Sequence, residues 1–196
     1  MDITKVNSDS DKLNLVNCNI VSVLEEIVMS TVLYASEKKR NIIFDTDSEE
    51  IILACDEDKI ERIMLNLISN AIKFSQLHTD IEIKIKRNVD LNRVYISVKN
   101  YGSNIEFNDR EKIFERFHRV DNSLNRKNEG CGIGLFLCRK FIEMHGGEIF
   151  LDNIDNGTQF SFYLPINITE EKINNPIIQK DSLIEKCNIE FSDIYI

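Results

Sequence analysis

Two asparagines and a lysine lie at spacings that suit the binding of a metal-bound polyphosphate. Asn66 and Asn70 are four residues apart and Lys73 follows, so on a helix their side chains project from neighbouring positions. Carboxamide oxygens are hard ligands that Mg²⁺ accepts beside water and phosphate oxygens, and an ammonium group can lie next to phosphate charge. Two solvated asparagines on an amphipathic helix would give the same pattern, so the spacing alone does not decide.

A helix over residues 58–74 must position these three groups. Its apolar residues recur at steps of three and four, which is typical of a helix with one buried stripe. The acidic residues Asp56, Glu57 and Asp58 suit the start of such a helix electrostatically. The members of the stripe are Ile60, Ile63, Met64, Leu67, Ile68, Ala71 and Ile72.

A glycine-rich segment, GCGIG at residues 130–134, opens a second helix that runs to His145 and is stopped by Gly146 and Gly147. Three glycines leave backbone N–H groups unobstructed at a helix start, where the helix dipole also favours an anion. The segment is neither a Walker loop nor a clear dinucleotide fingerprint, because a polar run rather than a strand precedes it. A flexible hinge would have the same composition.

Three arginines, Arg116, Arg119 and Arg126, lie in or just before a charged stretch at residues 119–129. This stretch lacks apolar periodicity, so we expect it to be mobile. Its arginines could fold onto phosphate groups, although solvated surface arginines have the same spacing.

The remaining elements predict an α+β fold. A first helix is expected from an N-cap at Asn17 or Asn19 to the basic residues 38–40, and a short helix through Phe117 from a capping-box variant at Asn108. Strands are predicted at residues 42–44, 51–55, 81–86, 94–98, 148–151 and 158–164. Because helices and strands do not alternate regularly, we expect a two-layer α/β sandwich, with a mixed, mostly antiparallel sheet and helices on one face.

Composition limits the classes of partner. A net charge of −9 with pI near 4.9 disfavours nucleic acid or an anionic membrane. The five cysteines form no CxxC pair, which fits reduced thiols in a cytoplasmic protein. No apolar run reaches the roughly 18 residues of a membrane span, although a larger parent protein could be anchored in a membrane.

Several motifs together resemble the ATP-binding domain of bacterial two-component sensor histidine kinases. Residues 66–74 (NLISNAIKF) are similar to the family's N box, residues 113–121 (IFERFHRVD) to its F box, and residues 130–135 (GCGIGL) to its second glycine box. Their order and spacing also match, from about residue 20 to residue 165. The resemblance implies the Bergerat-type sandwich shared with gyrase, mismatch-repair and heat-shock chaperone ATPases, with a mobile ATP lid at residues 119–129.

The resemblance also implies the ligands and the site residues. ATP would bind with Mg²⁺ at Asn70, and the catalytic residues would be Asn66, Asn70 and Lys73. Nucleotide contacts are expected from Asn70, Lys73, Phe74, Asn100, Gly102, Arg116, Arg119, Arg126, Gly130, Gly132, Gly134, Leu135 and Thr158.

The first glycine box departs from the family pattern DxGxG. Here the sequence is NYGSN, so Asn100 replaces the aspartate and Asn104 replaces the second glycine. In the family the aspartate accepts a hydrogen bond from the adenine amino group, and the carbonyl oxygen of Asn100 can do so without charge assistance. Asn104 tolerates left-handed backbone, but its side chain could crowd the base. We expect a working pocket with weakened binding.

The resemblance implies a kinase rather than a hydrolase. Related ATPases use a glutamate four residues before the metal-binding asparagine to position water, and this chain has the neutral Asn66 there. None of its three histidines lies on an amphipathic helix followed by an acid. The expected partners are therefore a dimerisation and phospho-acceptor hairpin of the parent kinase and a response-regulator receiver domain.

The implied organisation has three parts. Residues 1–19 would be the end of a dimerisation helix and a linker, and residues 20–165 the catalytic domain. Residues 166–196 form a C-terminal tail of unknown role, whose last ten residues have a strand-like pattern. The alternative function is a nucleotide-sensing or interaction module of the same fold that has lost catalysis.

Overall fold

The computed structural model describes residues 12–118, 132–170, 186, 187 and 191. In chain order its elements are β1 Val16–Asn19, α1 Ile20–Glu37, β2 Asn41–Thr46, β3 Ile52–Cys55, α2 Glu57–Phe74, β4 Asp80–Asn88, β5 Arg93–Tyr101, two 3-10 helices at Phe107–Asp109 and Lys112–Phe114, α3 Gly134–Met144, β6 Glu148–Ile154 and β7 Gly157–Pro165.

The main sheet has the strand order β2-β4-β5-β7-β6. Strands β2 and β4 are parallel, and the other neighbouring pairs are antiparallel. Alternate side chains on the central strands, such as Ile83, Ile96 and Phe162, are fully buried because the helices pack on this side of the sheet. The predicted α+β two-layer sandwich is confirmed, while the lid segment at residues 119–129 lies outside the described residues.

Both long helices begin at side-chain caps. The Oδ1 atom of Asn19 accepts hydrogen bonds from the N–H groups of Val21 at 3.2 Å and Ile51 at 3.0 Å, so Asn19 rather than Asn17 is the N-cap of α1. The Oδ1 atom of Asp56 accepts from the N–H group of Lys59 at 3.1 Å and starts α2. Every predicted stripe residue of α2 is buried, so this helix is confirmed.

The assignment of residues 1–19 to a helix end and linker is wrong for its last four residues. Val16–Asn19 forms a strand that pairs antiparallel with Ile52–Cys55. Cys18 is fully buried there, and the side chain of Asn17 is hydrogen-bonded to the N–H and C=O groups of Thr169. These four residues therefore belong to the folded domain, and the other domain boundaries stay predictions.

The predicted short helix from Asn108 to Phe117 is also wrong. The structure has two separate 3-10 helices, and neither is capped by a side-chain hydrogen bond. The chain becomes extended at Glu115, and Phe117 adopts a left-handed conformation with φ 62°. An α-helix cannot continue through such a residue.

Part of the C-terminal segment packs against the two long helices. Phe191 is fully buried, and its ring stacks on Tyr34 of α1 with ring centroids 4.8 Å apart. The ammonium of Lys186 lies 3.0 Å from a carboxylate oxygen of Asp58 and 3.1 Å from one of Glu61. Cys187 has helical backbone, so the strand-like pattern predicted from this residue onward is wrong at its start.

In the part of the chain that the structure describes, no helix is long and apolar enough to cross a membrane.

Candidate nucleotide site

The second half of α2 carries the asparagine pair. Asn66 and Asn70 are partly buried, and the Nδ2 atom of Asn70 donates a hydrogen bond to the Oδ1 atom of Asn66 at 3.3 Å. Because the NH₂ group of Asn70 is held in this way, its Oδ1 atom is left to meet a ligand. Lys73, partly buried, lies one turn further along, and Phe74, which is 51% exposed, ends the helix.

Helix α3 begins directly against Asn66. A Cβ atom added to Gly134 would lie 2.0 Å from the Nδ2 atom of Asn66 and 2.7 Å from its Cγ atom. One turn later, the thiol of Cys138 donates to the Oδ1 atom of Asn66 over 3.6 Å. Only glycine permits this approach, so the glycine-rich segment and the asparagine pair form one site.

The residues just before α3 are hydrogen-bonded to the segment that follows the second 3-10 helix. The N–H group of Phe117 donates to the carbonyl oxygen of Gly132 at 2.9 Å. Gly132 has φ +64°, and an added Cβ atom would lie 2.9 Å from the carbonyl oxygen of His118. The sequence motifs around Phe117 and Gly132 therefore meet in space, whereas Arg119, Arg126 and Gly130 lie outside the described residues.

The end of β5 carries a buried pair of polar side chains. Asn100 pairs in register with Thr158 of β7, and both side chains are more than 95% buried. The hydroxyl of Thr158 donates to the Oδ1 atom of Asn100 at 3.0 Å. The Nδ2 atom of Asn100 is buried and has no hydrogen-bond partner among the described residues.

Gly102 ties the end of β5 to the end of α2. The backbone of Ser75 pairs with Gly102, and the N–H group of Gln76 donates to the carbonyl oxygen of Tyr101 at 2.7 Å. A Cβ atom on Gly102 would lie 2.1 Å from the carbonyl oxygen of Phe74, so a side chain would separate the two elements. The Asn100–Thr158 pair is thereby held at the same end of the sandwich as the last turn of α2.

Asn104, which replaces the second glycine of the motif, contacts the turn before β7 through its side chain. It is absent from the residues with positive φ, and its Oδ1 atom accepts a hydrogen bond from the N–H group of Gly157 at 2.8 Å. Asn104 therefore does not use the left-handed backbone that asparagine tolerates. This hydrogen bond joins the segment after β5 to the turn before β7. A glycine at position 104 would have no side chain to make this contact.

Arg116 contacts the outer face of α3. Its guanidinium lies 4.6 Å from the ring centroid of Phe136, beside a groove of about 390 Å³ that Lys140 also lines. Phe136 lies two residues after Gly134, and Lys140 lies two residues after Cys138. They therefore lie roughly 200° around α3 from the side that contacts Asn66. The phosphate contact expected of Arg116 stays a prediction. Leu135, between these two faces, is partly buried against the core.

His145 joins the end of α3 to the start of α2. Its Nε2 atom accepts a hydrogen bond from the N–H group of Asp56 at 3.0 Å, and its Nδ1 atom lies 2.6 Å from the carbonyl oxygen of Phe141. Burial lowers the pKa of His145 below its usual value. The neutral ring therefore holds the N-terminal end of the helix that carries Asn66 and Asn70.

Sequence reasoning missed Cys138 and the bridging role of Asn66. Cys138 lies four residues after Gly134, so both must share one face of α3. This spacing was a usable signal for Cys138. The contact with α2 had no local signal, because it joins residues 72 positions apart.

Comparison with known proteins agrees with this geometry. Residues 55–168 match the family model described as histidine kinase-, DNA gyrase B-, and HSP90-like ATPase. The chain is 30% identical over 172 residues to the sensor protein kinase WalK of Staphylococcus aureus, a match that covers 87% of this chain and 41% of that protein. The chain thus spans less than half the length of this curated relative.

Three solved structures, two of them of the histidine kinase ThkA, are also similar to this chain. The nucleotide-free catalytic domain of ThkA has a TM-score of 0.70 at 28% identity, over 79% of this chain and 97% of that one. ThkA in complex with the response regulator protein TrrA has a TM-score of 0.67 at 27% identity, over 78% and 42%. Full-length ShkA in complex with AMPPNP has a TM-score of 0.70 at 25% identity, over 81% and 32%.

The family model covers more than half of the chain. The chain belongs to the family of histidine kinase-, DNA gyrase B- and HSP90-like ATPases.

Proposed function

We propose that this chain is the ATP-binding catalytic part of a sensor histidine kinase. It binds Mg²⁺–ATP and transfers the γ-phosphoryl group to a histidine on a dimerisation hairpin outside the chain, for relay to a response-regulator receiver domain. The observation that carries the proposal is the Asn70–Asn66 hydrogen bond, held against Gly134 at the start of α3.

The donor set of α2 fits Mg²⁺. The Oδ1 atom of Asn70 accepts no hydrogen bond from the described residues, because the one hydrogen bond that its carboxamide makes with them is donated by Nδ2 to Asn66. A single carboxamide oxygen suits Mg²⁺, which keeps several waters and takes its other ligands from substrate phosphates. Bound there, the ion would neutralise phosphate charge, while Asn66 keeps the oxygen of Asn70 turned toward it.

Asn66 favours transfer to a protein acceptor over hydrolysis. A carboxamide is not a base at ordinary pH, and the Oδ1 atom of Asn66 already accepts from Asn70. The chain therefore holds ATP without activating a water molecule at this position. In the described part of α2, Lys73 is the cation one turn past Asn70, where it can balance phosphate charge.

The acceptor histidine must come from another segment. His78 lies in a turn with φ 62°, His118 follows the second 3-10 helix, and His145 is the C-cap of α3. None of the three lies within an amphipathic helix. A receiver domain as the second partner is supported by the similar kinase ThkA, whose structure is described in complex with a response regulator.

A nucleotide-sensing module without transferase activity is the second candidate. It is favoured by Asn100, because a neutral carboxamide holds the adenine amino group less strongly than a carboxylate does. Such a module would bind nucleotide and never phosphorylate a hairpin histidine.

Calorimetric titration with Mg²⁺ and AMPPNP tests the site. Asn70→Ala should lose Mg²⁺-dependent binding, and Asn70→Asp should keep part of it, because the aspartate retains an oxygen ligand but no longer donates to Asn66. Asn41→Ala is the matched control, since Asn41 is exposed on the edge strand β2. Loss of one partly buried hydrogen bond should lower the free energy of unfolding of Asn70→Ala by only about 1 kcal/mol.

The proposal is contradicted by an Asn70→Ala variant that binds Mg²⁺–AMPPNP like the parent. If this variant instead unfolds at a much lower temperature than the parent, Asn70 has a structural role.

A further inference from the structure

The Asn100–Thr158 pair contains an unsatisfied buried donor. Asn100 is 3% exposed and Thr158 is 4% exposed. The Oδ1 atom of Asn100 accepts from the hydroxyl of Thr158, while its Nδ2 atom has no partner among the described residues. Buried polar groups are otherwise nearly always hydrogen-bonded, so this NH₂ group is suited to an acceptor supplied by a ligand.

The position of the pair agrees with a ligand contact. Asn100 continues the buried side of β5 beyond Ile96 and Val98, but it is polar where those residues are apolar. The bridge between Ser75 and Gly102 holds this end of β5 at the last turn of α2. Asn100 is therefore a buried carboxamide at the edge of the site and not a part of the apolar core.

The pair can present either polarity to a ligand. A carboxamide turned by half a rotation exchanges its NH₂ group and its oxygen with little change in shape, and a threonine hydroxyl both donates and accepts. In the observed arrangement the pair offers an NH₂ donor. After the turn, the NH₂ group donates to Thr158 and the pair offers an oxygen acceptor. A carboxylate at position 100 could only accept.

We infer that the base subsite at Asn100 accepts 6-oxopurine nucleotides as well as 6-aminopurine nucleotides. The donor arrangement complements the carbonyl group of a 6-oxopurine, and the acceptor arrangement complements the amino group of adenine. The inference rests on the proposed nucleotide binding and adds the substrate class to it. Asn100 is the specificity-determining residue, because replacing it by aspartate removes the donor arrangement.

Calorimetry with Mg²⁺–ATP and Mg²⁺–ITP tests this inference. ITP has a carbonyl group where ATP has the amino group, and it lacks the extra amino group of guanine. The parent chain should prefer ATP over ITP by less than about 10-fold, and Asn100→Asp should raise this preference by about 10-fold or more, because two acceptors would then face each other. ATP and ITP also differ at ring nitrogen N1, but the parent and Asn100→Asp meet the same two nucleotides. The change in nucleotide preference between these two proteins therefore reports on position 100.

Asn156→Asp is the matched control for charge. It adds the same negative charge in the turn next to the end of β5, where the side chain is exposed and the carbonyl oxygen accepts from the N–H group of Gly102 at 2.8 Å. Its preference between the two nucleotides should equal that of the parent.

Two outcomes separate this inference from the proposed function. If the parent binds ATP but prefers it over ITP by more than about 10-fold, the base inference is overturned and nucleotide binding stands. This comparison needs no variant, so it decides even if Asn100→Asp does not fold. If the parent binds neither nucleotide, the proposed function fails and the base inference fails with it.

Discussion

Gly134→Ala should weaken Mg²⁺-dependent nucleotide binding with little effect on folding. The added Cβ atom would lie 2.0 Å from the Nδ2 atom of Asn66, whereas nonbonded contacts of this kind are normally at least about 3.4 Å. The carboxamide of Asn66 must therefore move by about 1.4 Å. Its hydrogen bond from Asn70 is already 3.3 Å long, so that movement breaks it.

The expected size of the effect follows from the role of Asn66. Partners that orient a metal ligand typically contribute about 10- to 100-fold to metal affinity, so binding of Mg²⁺–AMPPNP should weaken by a factor in this range. The free energy of unfolding should change by less than about 1 kcal/mol, because alanine favours the helix while one hydrogen bond is lost.

Gly146→Ala is the control, because we expect it to lower stability without changing nucleotide binding. Gly146 has φ +77°, and among the described residues its added Cβ atom meets only Pro165, at 3.5 Å. Left-handed backbone costs a non-glycine residue about 1–2 kcal/mol, so this variant should be less stable and bind nucleotide normally. Calorimetry with and without Mg²⁺, together with urea unfolding, measures both quantities. Unchanged Mg²⁺-dependent affinity in Gly134→Ala would refute the view that Asn66 orients Asn70.

Two further predictions concern the frame around the site. Phe191→Ala should lower the free energy of unfolding by about 3–5 kcal/mol, because the ring is fully buried against Tyr34; a change below about 1 kcal/mol in urea unfolding would show that the C-terminal segment is not part of the core. Burial lowers the pKa of His145 in the folded chain, so below pH about 6.5 the unfolded chain binds more protons than the folded chain does. The free energy of unfolding should therefore decrease as the pH falls below about 6.5. Urea unfolding of His145→Gln should lack this share of the pH dependence, and an unchanged pH profile would contradict the assignment.

Local signals were sufficient to predict most helices and strands. Helix α2 combines an apolar stripe with an acidic N-cap at Asp56, and β4 and β5 alternate clearly. Strand Val16–Asn19 was missed because it is four residues long and its partner, Ile52–Cys55, is distant in sequence. The 3-10 helices near Asn108 were mistaken for one α-helix, because a capping pattern does not reveal that the side chain makes no cap.

The sequence predicted candidate residues for the site but not the contacts between them. The motif resemblance identified Asn66, Asn70 and Gly134, but the approach of Gly134 to Asn66 depends on how α3 packs on α2. Packing of this kind is set by many distant residues, so no short pattern encodes it. The unsatisfied donor of Asn100 follows from the register of β5 with β7, which the sequence does not specify by itself.

Phosphoryl transfer to a supplied histidine tests the central proposal most directly. The chain would be incubated with Mg²⁺, γ-labelled ATP and a separately prepared dimerisation hairpin, alongside a hairpin that lacks its histidine. We expect label on the histidine-containing hairpin only, with little phosphate released when the hairpin is omitted. Steady release of phosphate by the chain alone, with no label on the hairpin, would contradict it.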